Sequence, residues 1–104
     1  DEEIRLRRFV ALMERELDAN AHKGTRAMRL PVRSDVWLHE IRQHVDKLER
    51  ADAALREETM MPELAREKCR EHAADVALLA LFLIDSLRLL EEEPSRVSYG
   101  GDHA

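Results

Sequence analysis

The stretch REHAADVALLALFLIDS, Arg70 to Ser86, decides how this chain folds. Nine consecutive apolar residues, Val76 to Ile84, lie between Asp75 and Asp85. Wound as a helix, that run is apolar around its whole circumference, so it belongs at the centre of a bundle. Its mouth is the unusual part. Asp75 opens the run and His72 stands one helical turn earlier, although ionised groups are costly to sequester without a partner.

The helix that carries this run begins well before it. Pro62 suits a first helical turn, and Pro94 closes a span to about Glu93, ~45 Å at 1.5 Å per residue. The remainder, SRVSYGGDHA, reads as a loose tail, giving one helical domain over residues 1–93 and a flexible tail over 94–104. A break around Glu58 to Met61 separates this helix from another, Val36 to about Arg56, with Ser34 or Asp35 as its N-cap. There Leu38, Ile41, Val45, Leu48 and Leu55 form a narrow seam for helix packing. A first helix runs from about Glu2 to Ala21, with Leu6, Phe9, Val10, Met13 and Leu17 as its apolar stripe, and Gly24 offers a stop. The connection HKGTRAMRLPVR, His22 to Arg33, is cationic and contains no acid.

The totals agree with an all-α chain. At 104 residues there is room for one domain, and 3 Gly with 3 Pro are few for a turn-rich β-protein. Two amphipathic partners can hardly cover an all-apolar helix, so the bundle is expected to complete itself as a homodimer or higher homo-oligomer. The net charge of −5 argues against a nucleic acid polymer or an anionic membrane as partner. Nine apolar residues fall far short of the roughly 20 that cross a bilayer. The lone Cys69 excludes an internal disulfide, and the charged start DEEIRLRRF lacks a signal-peptide core, so a cytoplasmic location is expected.

Residues three or four apart share a helix face. Glu71 and His72 therefore neighbour Asp75, and Glu40, His44 and Lys47 make a comparable row in HEIRQHVDK. Glu40, His44, His72 and Asp75 would offer two imidazoles and two carboxylates, a set suited to zinc or another transition metal. The plainer alternative is a compensated polar cluster, with Lys47 or a histidine pairing Asp75. Asp85 is either a further ligand or the helix's return to solvent. Trp37 reads as a core or interface anchor, His39 as solvated, and Met60 with Met61 as gap fillers at a helix junction. Lys23, Arg26, Arg29 and Arg33 are either a polyphosphate clamp or solvated arginines and lysine. No Walker glycine loop, Ser–His–Asp order or HExxH is present.

The segments RFVALMERELDANAHKG, WLHEIRQHVDKL and REHAADVALLALFLID together resemble the MazG-like all-α nucleoside triphosphate pyrophosphohydrolases. The likeness covers roughly Arg8 to Asp85, and is most specific at His22-Lys23-Gly24 and at Asp75 with Asp85 ten residues on. It implies a helical bundle, usually dimeric, and Mg²⁺-dependent cleavage of an NTP or dNTP between the α- and β-phosphates. It also implies four acids around the ion, an E-E-x-x-E pair on one helix and an E-x-x-D pair on the next, because hard Mg²⁺ prefers oxygen. The ion would neutralise phosphate charge and help to activate a water.

This chain departs at those positions. The first motif becomes Gln43-His44-Val45-Asp46-Lys47 and the second His72-Ala73-Ala74-Asp75, so Asp75 alone remains of the four. Glu40, Asp46, Glu71 and Asp85 lie within about a turn and would be the substitutes in a rearranged site. Lys23, Arg26, Arg29, Arg33 and Lys47 would meet the phosphates. Three expectations result: a Mg²⁺-dependent pyrophosphohydrolase homologue; a non-catalytic helical oligomer that binds a nucleotide or a protein; and a transition-metal site in which His44 and His72 replace lost acids.

Overall fold

The structure, a computed structural model, describes residues 1–21 and 33–91. It is all-α. Three helices pack together: α1 (Glu2–Ala21), α2 (Ser34–Glu57) and α3 (Pro62–Ser86), with no strand among the described residues. The expected Gly24 stop, the cationic residues Lys23, Arg26 and Arg29, His22, and the tail from Pro94 lie outside the described residues.

Local chemistry sets the helix ends. The Asp1 carboxylate accepts the Ile4 N–H at 3.0 Å, capping α1, and Glu2 and Glu3 in the first turn suit the helix dipole. The start of α2 differs from expectation. Ser34 and Asp35 lie inside its first turn, the N-cap position falls to Arg33, and no side chain caps it. Asp35 instead pairs with Arg33 at 2.5 Å. At the other end Glu58 adopts a left-handed conformation (φ 56°, ψ 38°), and the Glu58 and Thr59 N–H groups both donate to the Ala54 carbonyl. Pro62 opens α3 as expected.

The end of α3 is the main correction. It stops at Ser86, about a turn and a half to two turns before Glu93, so its 25 residues span only about 37 Å. Ser86 Oγ donates to the Leu83 carbonyl at 2.7 Å, Arg88 turns left-handed (φ 61°), and the Leu89 N–H returns to Ile84 O at 3.1 Å. These bonds satisfy the terminal carbonyls without needing Pro94.

Short helix connections produce antiparallel neighbours, and α2 and α3 form such a hairpin. Its register is legible in two contacts. Trp37 meets Phe82 with ring centroids 5.6 Å apart, and seven residues on along α2, seven back along α3, His44 meets Asp75 at 3.4 Å. Seven residues are nearly two turns, so both pairs lie on one seam. Trp37, Ala51, Ala54, Ala65, Ala74, Leu78 and Leu79 are the buried apolar residues of this core. Trp37, only 4% exposed, is the anchor the sequence suggested. The small alanines let the α2 and α3 backbones approach closely, as Leu at those sites would not.

The expected seam of α2 is rotated slightly. Leu38 and Val45 are exposed, whereas Ile41, Leu48 and Leu55 are half-buried beside buried Trp37, Ala51 and Ala54. On α1 the correction is larger. Leu6 is 63% exposed and Val10 40%; the half-buried face is Phe9, Leu12, Met13, Glu16, Leu17 and Asn20. No α1 residue is fully buried, because this helix packs chiefly on α3. Arg15 donates across that interface to Glu67 at 2.7 Å. Met60 is half-buried, but Met61 is 75% exposed and fills no gap. Ala80, Leu81 and Ile84 remain exposed on α3, so one copy of the chain leaves part of the apolar run uncovered.

Candidate functional site

The packing of α1, α2 and α3 leaves a cavity of about 240 Å³ beside the seam. Leu17, Leu78, Leu79 and Phe82 give it apolar walls, and Glu16, Asn20, His44, Lys47, Glu71, His72 and Asp75 supply polar groups. Five residues singled out from the sequence, His44, Lys47, Glu71, His72 and Asp75, thus share one cavity. Glu40 and Asp85 do not line it. Glu40 is half-buried a turn before His44, while Asp85 is exposed about 15 Å along the axis from Asp75, where α3 returns to solvent. Asp46 and Gln43 lie on a second, open groove with His39, Arg42 and Arg50 that meets the cavity at Lys47, and Asp46 pairs with Arg50 at 2.5 Å. Of the residues expected to meet the phosphates, Arg33 is exposed and paired with Asp35, and Lys47 is the described member that lines the cavity.

Asp75 is the buried charged residue at the centre of the site. His44 Nδ1 stands 3.4 Å and His72 Nδ1 3.7 Å from its Oδ2 atom. Both ring nitrogens are buried without a hydrogen-bond partner, and the two rings are tilted 51° with centroids 6.1 Å apart. A hydrogen bond at these sites would be near 2.9 Å, so the contacts are looser than donor–acceptor pairs. Burial, followed by the charges of Lys47 and His72, holds the His44 imidazole below its usual 6.5. His44 is therefore neutral at pH 7, and does not supply the positive charge that would compensate Asp75.

Glu16 is the residue the sequence reading missed. It reaches the cavity from α1 and hydrogen-bonds Asp75. Its pKa is pushed up from 4.5 to about 7, first by burial, then by that bond and the charges of Asp75 and Glu71, against the pull of Arg15. Only a protonated Glu16 can donate to the Asp75 carboxylate, which is why the pairing favours its neutral form.

Two sets of donor atoms result. Ligand atoms of His44, His72 and Asp75 lie within 4.8 Å of one another, and so do those of Glu16, Glu71 and Asp75. Asp75 belongs to both. The first set mixes nitrogen with oxygen; the second is all oxygen. In donor type the second suits Mg²⁺, which takes one or two carboxylates and fills its octahedron with water and substrate oxygens. Lys47, at the cavity wall, adds a cation able to meet a phosphate. No helix of the described residues is long and apolar enough to cross a membrane. No protein-family model, no curated protein and no solved structure matches the chain.

Proposed function

We propose that the chain is a divergent MazG-like nucleotide pyrophosphohydrolase, cleaving an NTP or dNTP to a monophosphate and pyrophosphate. One observation carries this reading: three carboxylates from two helices, Glu16, Glu71 and Asp75, converge beside Lys47 on one cavity. The motif positions changed to His44, Lys47 and His72 remove acids from α2 and α3, and Glu16 of α1 restores one to the same space. Glu16, Glu71 and Asp75 would hold Mg²⁺, whose role is to neutralise phosphate charge and acidify a water. Lys47 binds a phosphate oxygen, Asn20 offers a neutral donor at the cavity wall, and Leu17, Leu78, Leu79 and Phe82 exclude water from one side. The cavity, about 240 Å³, is below the usual 300–1,000 Å³ of ligand pockets, so it takes the phosphate end of a nucleotide and leaves the base outside.

The test is pyrophosphate release from a panel of NTPs and dNTPs with Mg²⁺ or Mn²⁺. Release from at least one nucleotide is expected, abolished in Asp75→Ala and lowered at least about tenfold in Glu71→Ala. Release from none of the panel overturns the reading. The non-catalytic helical oligomer and the transition-metal site are then the readings left. The exposed Ala80, Leu81 and Ile84 row favours self-association in either case, and light scattering that returns a monomer mass at all concentrations would remove it.

A further inference from the structure

We infer that His44, His72 and Asp75 bind a borderline first-row divalent ion such as Zn²⁺, with one coordination position left open to the cavity. This site shares Asp75 with the all-oxygen set but takes its other ligands from His44 and His72, and it does not depend on the nucleotide reading.

The distances decide between an ion pair and an ion site. Zinc bonds to nitrogen and oxygen of about 2.0–2.1 Å place two ligand atoms of a tetrahedron about 3.4 Å apart. The two Nδ1 atoms stand 3.4 and 3.7 Å from the same Asp75 oxygen. A charge-assisted hydrogen bond would close to about 2.7–2.9 Å. The observed spacing therefore matches ligands around a common centre better than partners in contact.

Two further observations point the same way. Both Nδ1 atoms are buried and lack a hydrogen-bond partner, a cost that a bound cation removes. Such orphaned atoms on two different helices, converging on one carboxylate, are not what a merely solvated polar row would produce. The donor types then choose the ion. Two imidazoles and one carboxylate suit Zn²⁺, Co²⁺ or Fe²⁺, whereas Mg²⁺ and Ca²⁺ favour oxygen. The ligands are also held on rigid elements. His44 and Asp75 sit one seam layer from the Trp37–Phe82 contact, and His72 is a turn from Asp75 on α3. Three protein ligands with a vacant fourth position facing a cavity are the arrangement of reactive zinc sites, not of closed structural ones.

The experiment uses the whole chain, stripped of metal, in a buffer without nucleotide or phosphate. Titration with Co²⁺ should give the visible absorption bands of tetrahedral cobalt. One equivalent of Zn²⁺ should erase them, and about a thousandfold excess of Mg²⁺ should not. His44→Gln and His72→Gln should each weaken Zn²⁺ binding at least about tenfold, with His39→Gln, exposed on α2, keeping the parent affinity. Where a variant fails to fold, the unsubstituted protein answers: Zn²⁺ should shift the ring-nitrogen NMR signals of both His44 and His72. Absent cobalt bands, displacement by Mg²⁺, or ring signals that stay put would overturn the site. Because no nucleotide is present, failure here leaves the proposed hydrolysis standing, and failure of hydrolysis leaves this ion site standing.

Discussion

Two layers of one helix seam, a heptad apart, carry different chemistry. In the upper layer Trp37, nearly shut off from water, lies against half-buried Phe82, and its own Nε1 is buried without a hydrogen-bond partner. In the lower layer His44 faces Asp75 across a gap, beside a cavity, with ring nitrogens left unsatisfied. The backbone is the same in both, two antiparallel helices in a single register. What differs is the chemistry of the side chains it presents. The first layer adds buried aromatic area to the core, and the second gathers titratable groups beside a cavity.

The difference can be broken most directly at the aromatic layer. Trp37→Ala should destabilise the fold by about 3–5 kcal/mol, measured by urea unfolding, because it empties the largest buried side chain of the seam. Asp75→Asn in metal-free protein should change stability by no more than about 1 kcal/mol at pH 7. The amide oxygen still accepts from Glu16, and removing the charge relieves repulsion from the nearby acids, while the loose contacts to the histidines contribute little. If the aspartate substitution proves the more damaging, the lower layer is a structural element and the contrast fails.

A smaller effect sharpens the comparison through pH. The Glu16 carboxyl is neutral in both states below its ordinary 4.5. Between 4.5 and about 7 the folded chain keeps a proton that the unfolded chain has lost, so stability falls as pH rises, and the loss is complete above 7. Glu16 is half-buried, and solvent screening reduces the effect to about 1 kcal/mol. Glu16→Gln should therefore stabilise the protein by about 1 kcal/mol at pH 8 and by almost nothing at pH 4.5. His44 acts in the opposite sense. Its depressed pKa makes the folded chain resist protonation, so its contribution is lost as pH falls below 6.5. Melting curves of Glu16→Gln and parent across pH 4–9 separate the two, and a constant offset between them would show that Glu16 titrates normally. The smallest expected change lies away from both layers. Glu58→Gly should add about 0.5 kcal/mol by relieving the left-handed cap, in the same unfolding assay.

Much of this arrangement was legible in the sequence. Period and punctuation located all three helices, and Pro62, Trp37 and the polar rows of α2 and α3 fell where expected. Two kinds of feature were not. Terminating α3 at Ser86 depends on a backbone and hydroxyl cap at Leu83, Ile84 and Asp85, which no strong breaker announces before Pro94. Glu16 was hidden by binary patterning, which treats a charged residue as a boundary of the apolar face. A signal did exist: Phe9, Met13, Glu16 and Asn20 follow three- and four-residue steps, so the inward stripe changes from apolar to polar along α1. A stripe that changes character while keeping its period marks the place where a helix leaves the core and enters a cavity.

The junction between α2 and α3 has a consequence for how this molecule can diverge. His44 and Asp75 oppose each other because the turn from Glu58 to Met61, with Glu58 left-handed, folds α3 back along α2 in one register. A residue added or removed within α3 between Pro62 and Asp75 would turn Asp75 by about 100° about the helix axis and carry it off the shared seam. Descendants of this gene are therefore freer to change the exposed joint than to gain or lose a residue on α3 between it and Asp75.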